Sequence, residues 1–342
     1  MEEFTPRINT LAQGSVAKLS AAQAFFNSGD LEQALAQCRA ALQLDPALEP
    51  AHLLLAGILV RQGEFAAAAD ACHTALAEQP DSARARLILA WIHQELGDLE
   101  RAIAECRTAV AADPQEALSY LLLGNLYFQR EQWSEAAEAY RGALRLNPEL
   151  GEGRYKLALA LQKLGLESHA LDEVQTALRL NPFGPRSHLL LGDIYFSLRD
   201  YNAALREYRQ AADINPVSPE AHLKAGATYA RLGEHLLATM ELRAALRHNR
   251  KLAEAHQLLG DVLLGQDQLR EAAEEYGAAL ALNPQAALAH WRLAVVHDRA
   301  GRRSDAQQEL RAALAINPKL ATLLEEPAEL DELARLTAAL EA

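Results

Sequence analysis

The sequence predicts an all-α protein, an α-solenoid in which helix pairs stack one on the next. Three observations predict it. Proline returns at Pro46, Pro80, Pro114, Pro148, Pro182, Pro216, Pro284 and Pro318, always after Asp, Gln or Asn and always on one register of 34 residues. Alanine keeps the same register in two columns, Ala34 to Ala306 and Ala41 to Ala313. Glycine joins it at Gly29, Gly63, Gly97, Gly165, Gly233 and Gly301. A fixed period of this size marks a stacked repeat. At Arg250 the proline is missing, but Asn249 still aligns with Asn283 one unit on.

Each unit reads as two helices. A small residue on the first helix, in the column Ala22, Ala56, Ala90, Gly124, Ala158, Gly192, Gly226, Gly260 and Ala294, lets a neighbouring helix come close. The glycine then ends that helix, because a left-handed residue without a Cβ carries little steric cost. Glu131, Arg199 and Asp267 stand in the same slot elsewhere, so there the turn has to accept a side chain. On the second helix the two alanine columns lie seven residues apart, two turns on one face, and bring the next helix within methyl-group distance. Proline pushes the residue before it out of the helical region and closes the unit.

The unit Tyr120, Leu123, Gly124, Tyr127, Ala136, Tyr140, Ala143 and Pro148 carries every position of a known pattern. On these residues the chain resembles the tetratricopeptide repeat family. Nine units begin at Ser15, Glu49, Ala83, Ala117, Gly151, Pro185, Pro219, Ala253 and Ala287 and fill residues 15–320 without an insertion. The resemblance implies a right-handed α-solenoid. Residues 1–14 lack the pattern and read as an N-terminal leader. Residues 321–342 read as a C-terminal capping helix that starts at Pro327 and carries Leu330, Leu333, Leu336 and Leu340 at helical spacing. Such a helix covers the apolar face that a last repeat leaves bare.

Composition narrows the function. Lys and Arg number 33 against 46 Asp and Glu, a net charge of −13, the wrong sign for holding a phosphate backbone. Nucleic acid is therefore excluded as a partner. The longest apolar stretch, Leu53 to Val60, is far short of the ~20 residues that span a bilayer, so no membrane insertion is expected. The N-terminus shows no secretory signal, and three cysteines make no disulfide framework. A cytoplasmic protein is expected, from a bacterium given the richness in Ala, Leu and Arg.

Nothing in the chain reads as an enzyme. His52, His188, His222, His256 and His290 share the fourth position of their units. Helices of adjacent units pack ~8–10 Å apart, whereas a zinc ion binds nitrogen at ~2 Å. A contact between helices is the simpler reading, and it extends to His93 and His297 at the eleventh position. Cys38, Cys72 and Cys106 share the twenty-fourth position with Tyr, Val and Leu in the other units, an apolar column where cysteine acts as a small hydrophobe. No nucleophile elbow, phosphate loop or HExxH segment occurs. No catalysis, metal or cofactor is expected.

The resemblance implies that first helices line a concave groove through their second, fifth, ninth, twelfth and thirteenth positions. Leucine dominates the fifth position, with Tyr155 and Trp291 in two units, and the twelfth carries Phe26, Phe128 and Phe196. Trp91, Asn125 and Asp193 occupy the ninth, and Lys224 is one of several cations spread along the stack. The expected binding residues are thus Phe26, Trp91, Asn125, Phe128, Tyr155, Asp193, Phe196, Lys224 and Trp291. The Lys and Asn pair with which some members of the family clamp acidic chaperone tails is absent, since Asn125 is accompanied by Leu121. The implied function is a non-catalytic scaffold or assembly adaptor that holds a peptide or protein segment. The alternatives are self-association into an oligomeric platform, and service as accessory subunit of a secretion or glycosyltransferase complex.

Overall fold

The computed structural model describes residues 4–324 and 327–341. Among them every regular element is helical. The chain forms two compact bodies, residues 1–180 and 181–342. In the first body the pairs are α1 (Phe4–Ser28) with α2 (Leu31–Leu44), α3 (Glu49–Gln62) with α4 (Phe65–Glu78), and α5 (Ala83–Glu95) with α6 (Leu99–Ala112). They are followed by α7 (Ala117–Gln129) with α8 (Trp133–Leu146) and α9 (Gly151–Lys163) with α10 (Glu167–Leu180). The second body holds α11 (Pro185–Ser197), α12 (Tyr201–Ile214), α13 (Pro219–Arg231), α14 (His235–His248), α15 (Ala253–Gly265) and α16 (Leu269–Leu282). After α17 (Ala287–Arg299) and α18 (Arg303–Ile316), a 3₁₀ turn at Leu320–Leu323 leads to α19 (Pro327–Glu341). The segment read as a leader is, from Phe4, continuous with the first helix.

Local chemistry sets the helix ends. Asp30, Asp98 and Asp200 cap second helices, each carboxylate accepting from a backbone N–H three residues on at 2.9–3.1 Å. Ser82 and Ser218 do the same for first helices. The turn inside a unit uses a residue at positive φ, either glycine or, at Glu131, Arg199 and Asp267, a residue with a side chain at φ of 59–62°. A backbone bond from the next residue back into the helix fixes it, as from Asp98 N to His93 O at 2.8 Å and from Gln132 N to Tyr127 O at 2.9 Å.

The alanine columns are buried in every unit, so each first helix rests on the second helix of its own pair through methyl-sized contacts. Within a unit the eighth and twenty-fourth positions fit one another. Ala22, Ala56 and Ala90 face Cys38, Cys72 and Cys106, all fully buried, and Ala158 and Ala294 share units with Val174 and Leu310. Where the partner is tyrosine the small residue is glycine. A Cβ on Gly124 would lie 2.5 Å from Tyr140 Cε1, and one on Gly260 would lie 2.7 Å from Tyr276 Cε1.

At the C-terminus Leu333 and Leu336 of α19 are buried in one cluster with Trp291, Leu310, Leu320 and Leu324. Leu330, expected on the same stripe, is 39% exposed. The side chain of Leu340 lies outside the described residues. Among the described residues no helix is long and apolar enough to cross a membrane.

Candidate protein-interaction groove

In the first body α1, α3 and α5 lie side by side, and their fifth-position leucines, Leu19, Leu53 and Leu87, line one cavity of about 690 Å³. Phe26, Leu54 and Ile88 extend its apolar wall, while Glu49 and Arg84 stand at its edge. The floor is open because the ninth position of the second unit is Gly57, where a Cβ would still stand 3.7 Å from Phe26 Cζ. Arg61 stacks on Phe26. Its guanidinium lies 4.7 Å from the Phe26 ring centroid and donates to Phe26 O at 3.1 Å. Glu49 is held by Ser82, which donates to it at 2.6 Å. The site is an apolar trough with a polar edge, fit to take the side chains of an extended or helical segment.

The other expected residues of this body serve the repeats themselves. Trp91 is half-buried, its ring 6.0 Å from that of Phe65. Phe128 packs edge-on against Trp133 at 4.7 Å, closing the turn of its own unit. Asn125 accepts a hydrogen bond from the Tyr140 hydroxyl at 3.0 Å. Tyr155 is half-buried on α9.

In the second body the expected charges meet one another. Asp193 accepts from the Tyr208 hydroxyl at 2.8 Å and from Lys224 Nζ at 2.8 and 3.0 Å. The same arrangement returns 68 residues later. Tyr276 donates to Asp261 at 2.6 Å, and Arg292 Nε stands 3.3 Å from the same carboxylate. Arg292 also reaches Glu329 of α19 at 2.5 Å. Burial raises the Asp261 carboxyl above its ordinary range, while Arg292 pulls the other way. Lys224 and Arg292 are therefore neutralised in place. Phe196 packs edge-on against Tyr201 at 5.2 Å, repeating the Phe128 arrangement.

Trp291 corrects the sequence reading. It was expected in the groove, but its side chain is fully buried. Trp291 belongs to the last unit, where the 3₁₀ turn and α19 pack next, and their leucines join it in one core.

The histidines form a contact that no single column reveals. His188, His222, His256 and His290 each place Nδ1 2.6–2.8 Å from the glutamate nineteen residues on, at Glu207, Glu241, Glu275 and Glu309. Each Nε2 lies 3.0–3.3 Å from the backbone oxygen six residues back. Arg86 with Glu105 and Arg154 with Glu173 make the same clasp at 3.1 and 2.8 Å. At His188 both ring nitrogens face acceptors, so the Glu207 bond favours the imidazolium and raises its pKa. Among the described residues no group of three or more His, Cys, Asp or Glu is arranged to hold a metal ion. Burial pushes the thiols up, Cys38 to about 11 and both Cys72 and Cys106 to about 12.

With helix pairs, turns and packing columns in place, comparison with known proteins decides the family. A family model described as the cilia and flagella-associated protein 70 C-terminal domain, a tetratricopeptide repeat domain, matches residues 6–225, more than half the chain. The chain belongs to that tetratricopeptide repeat family. A second tetratricopeptide repeat model matches residues 257–321. No curated protein matches this repeat protein. Among solved structures it resembles the Cut9–Hcn1 hetero-tetramer of the APC/C, with 17% identity and a TM-score of 0.58 over 94% of this chain and 76% of that one. It also resembles Pseudomonas aeruginosa PilF, with 22% identity and a TM-score of 0.55 over 64% and 98%. A third is PilW, a type IV pilus biogenesis factor, with 24% identity and a TM-score of 0.55 over 60% and 96%. At such identities the likeness concerns the fold.

Within this repeat protein the site signals that column-wise reading missed were pairings. From Ala117 onward the unit type alternates. Gly124, Gly192 and Gly260 stand beside Asn125, Asp193 and Asp261 and face Tyr140, Tyr208 and Tyr276, and the following units supply Lys156, Lys224 and Arg292. A search for a 68-residue period finds this directly.

Proposed function

We propose that this tetratricopeptide repeat protein is a non-catalytic scaffold that binds a peptide or protein segment through apolar anchors in the trough of its first three units. The observation that supports this is the cavity bounded by Leu19, Phe26, Leu53 and Leu87 over Gly57. Among the residues first expected to bind, Phe26 lines that trough, and Trp91 stands half-buried on α5, the helix that forms its far wall. Asn125, Phe128, Asp193, Phe196 and Lys224 have their polar atoms or ring edges engaged within the stack. Trp291 has no part in it. Tetratricopeptide repeat proteins act as interaction scaffolds, which agrees with this reading. The likeness to PilW, a type IV pilus biogenesis factor, keeps the adaptor role in view, with the cytoplasm as the expected place of action.

The test is capture of partners from native lysate by the wild-type chain and by a Leu53→Glu, Leu87→Glu variant. A partner retained by the wild type and lost by the variant, with unchanged circular dichroism, supports the trough. Equal capture by both refutes it. Light scattering against concentration tests self-association in the same preparation, and a strict monomer removes that alternative.

A further inference from the structure

A second surface lies on the opposite kind of helix. Arg243 and Arg247 project from α14 one turn apart, and Arg250 follows in the turn, the slot that holds proline in the other eight units. All three are exposed. They border an open depression of about 840 Å³ whose apolar wall is Met240, Leu246 and Leu259. Met240 is 60% exposed. The carboxylate that also borders the depression, Glu275, is already held by His256 at 2.6 Å. A favourable position at a helix C-terminus accounts for Arg247 alone, since Arg243 lies more than a turn inside the helix and Arg250 beyond it.

We propose that this arginine face docks a short acidic protein segment carrying one bulky apolar side chain. Guanidinium groups favour carboxylates through charge-assisted, often paired hydrogen bonds. The depression between Met240, Leu246 and Leu259 takes the apolar anchor, as an interface centre requires. The cluster is local. A nucleic acid or an anionic bilayer would extend past it over a chain of net charge −13 and meet repulsion there. The surface is separate from the trough in the first body and does not depend on it.

The probe is a fluorescein-labelled peptide, Asp-Glu-Phe-Asp-Glu-Ser-Asp-Glu, with a twin in which Asn and Gln replace the acids. Binding is read by anisotropy on the full chain. The wild type binds the acidic probe in preference to the twin, and more weakly as salt rises from about 50 to 200 mM. Arg243→Ala, Arg247→Ala, Arg250→Ala together weaken binding about tenfold or more. Arg250→Pro alone restores the residue usual in this turn, keeps the backbone oxygen that His256 meets, and weakens binding by a smaller factor with unchanged melting. The Leu53→Glu, Leu87→Glu variant binds as the wild type does, which separates this surface from the trough. Equal affinity for the twin, no loss in either arginine variant, or binding of inorganic polyphosphate without binding of the peptide would overturn the proposal.

Discussion

Gly124→Ala tests the fit between the eighth and twenty-fourth positions. The new methyl carbon would lie 2.5 and 2.6 Å from Tyr140 Cε1 and Cδ1, so either the ring or the helix has to move by about 1 Å to reach ordinary contact. Tyr140 is 1% exposed, and its hydroxyl is tied to Asn125 at 3.0 Å, which leaves the ring no direction of escape. Overpacking of this kind costs about 1–3 kcal/mol, against which replacing glycine in a helix interior returns about 1 kcal/mol. The net expectation is a loss of up to about 2 kcal/mol. Gly57→Ala is the control. It sits mid-helix too, but its methyl meets Phe26 at 3.7 Å, so the helix gain of up to about 1 kcal/mol survives. Urea unfolding followed by circular dichroism should move the midpoint down for Gly124→Ala and up for Gly57→Ala. Adding Tyr140→Cys to Gly124→Ala recreates the Ala90 and Cys106 pair of the third unit, and the double variant should lose less than the two single losses combined, with a coupling of about 1–3 kcal/mol. If Gly124→Ala stabilises the chain as Gly57→Ala does, the fit between the two columns does not constrain the fold.

Further perturbations reach other parts of the structure. The folded pKa of His188 lies above its unfolded value, so the Glu207 bond adds stability that is full below about pH 6.5 and fades as pH rises through the folded pKa; urea midpoints of wild type and His188→Gln should converge toward alkaline pH. The three cysteines are fully buried with raised thiol pKa values, so a thiol reagent at pH 8 should label none in the native protein and three after denaturation. Glu131→Gly relieves a side chain held at φ 60° and should stabilise by about 0.5–1 kcal/mol, read as a higher urea midpoint. Trp291 is wholly enclosed, so acrylamide should quench Trp91 emission in a Trp133→Phe, Trp291→Phe variant far more than Trp291 emission in the reciprocal Trp91→Phe, Trp133→Phe variant.

Much of this fold is legible as columns, because a repeat writes each packing requirement nine times. The alanines, turn glycines and closing prolines announce helix pairs, and even the awkward slots at Glu131, Arg199 and Asp267 are read correctly as turns that accept a side chain. What columns conceal is correlation between them. His188 looks like one of five histidines until Glu207, nineteen residues on, is seen to follow it, while His52 with Ala71 in that place keeps only its bond to Pro46 O at 2.8 Å. Exposure is concealed as well. Leucine at the fifth position lines an open trough in Leu53 but is buried in Leu189 and Leu223, and Trp291 is covered by a helix outside the repeat register. Such differences depend on what lies beyond a unit, which the unit's own pattern does not encode.

The match between small residue and partner bears on how such a chain can be redesigned. Averaging the nine units gives alanine as the commonest residue at the eighth position, with cysteine and tyrosine sharing the lead at the twenty-fourth. An idealised unit assembled column by column can therefore join Ala to Tyr, a combination absent from every natural unit here and one that brings a methyl into an aromatic ring. Whole units can be borrowed, since each carries its own matched pair. The transferable module of this protein is the pair of positions, and a library built from it should vary the two together.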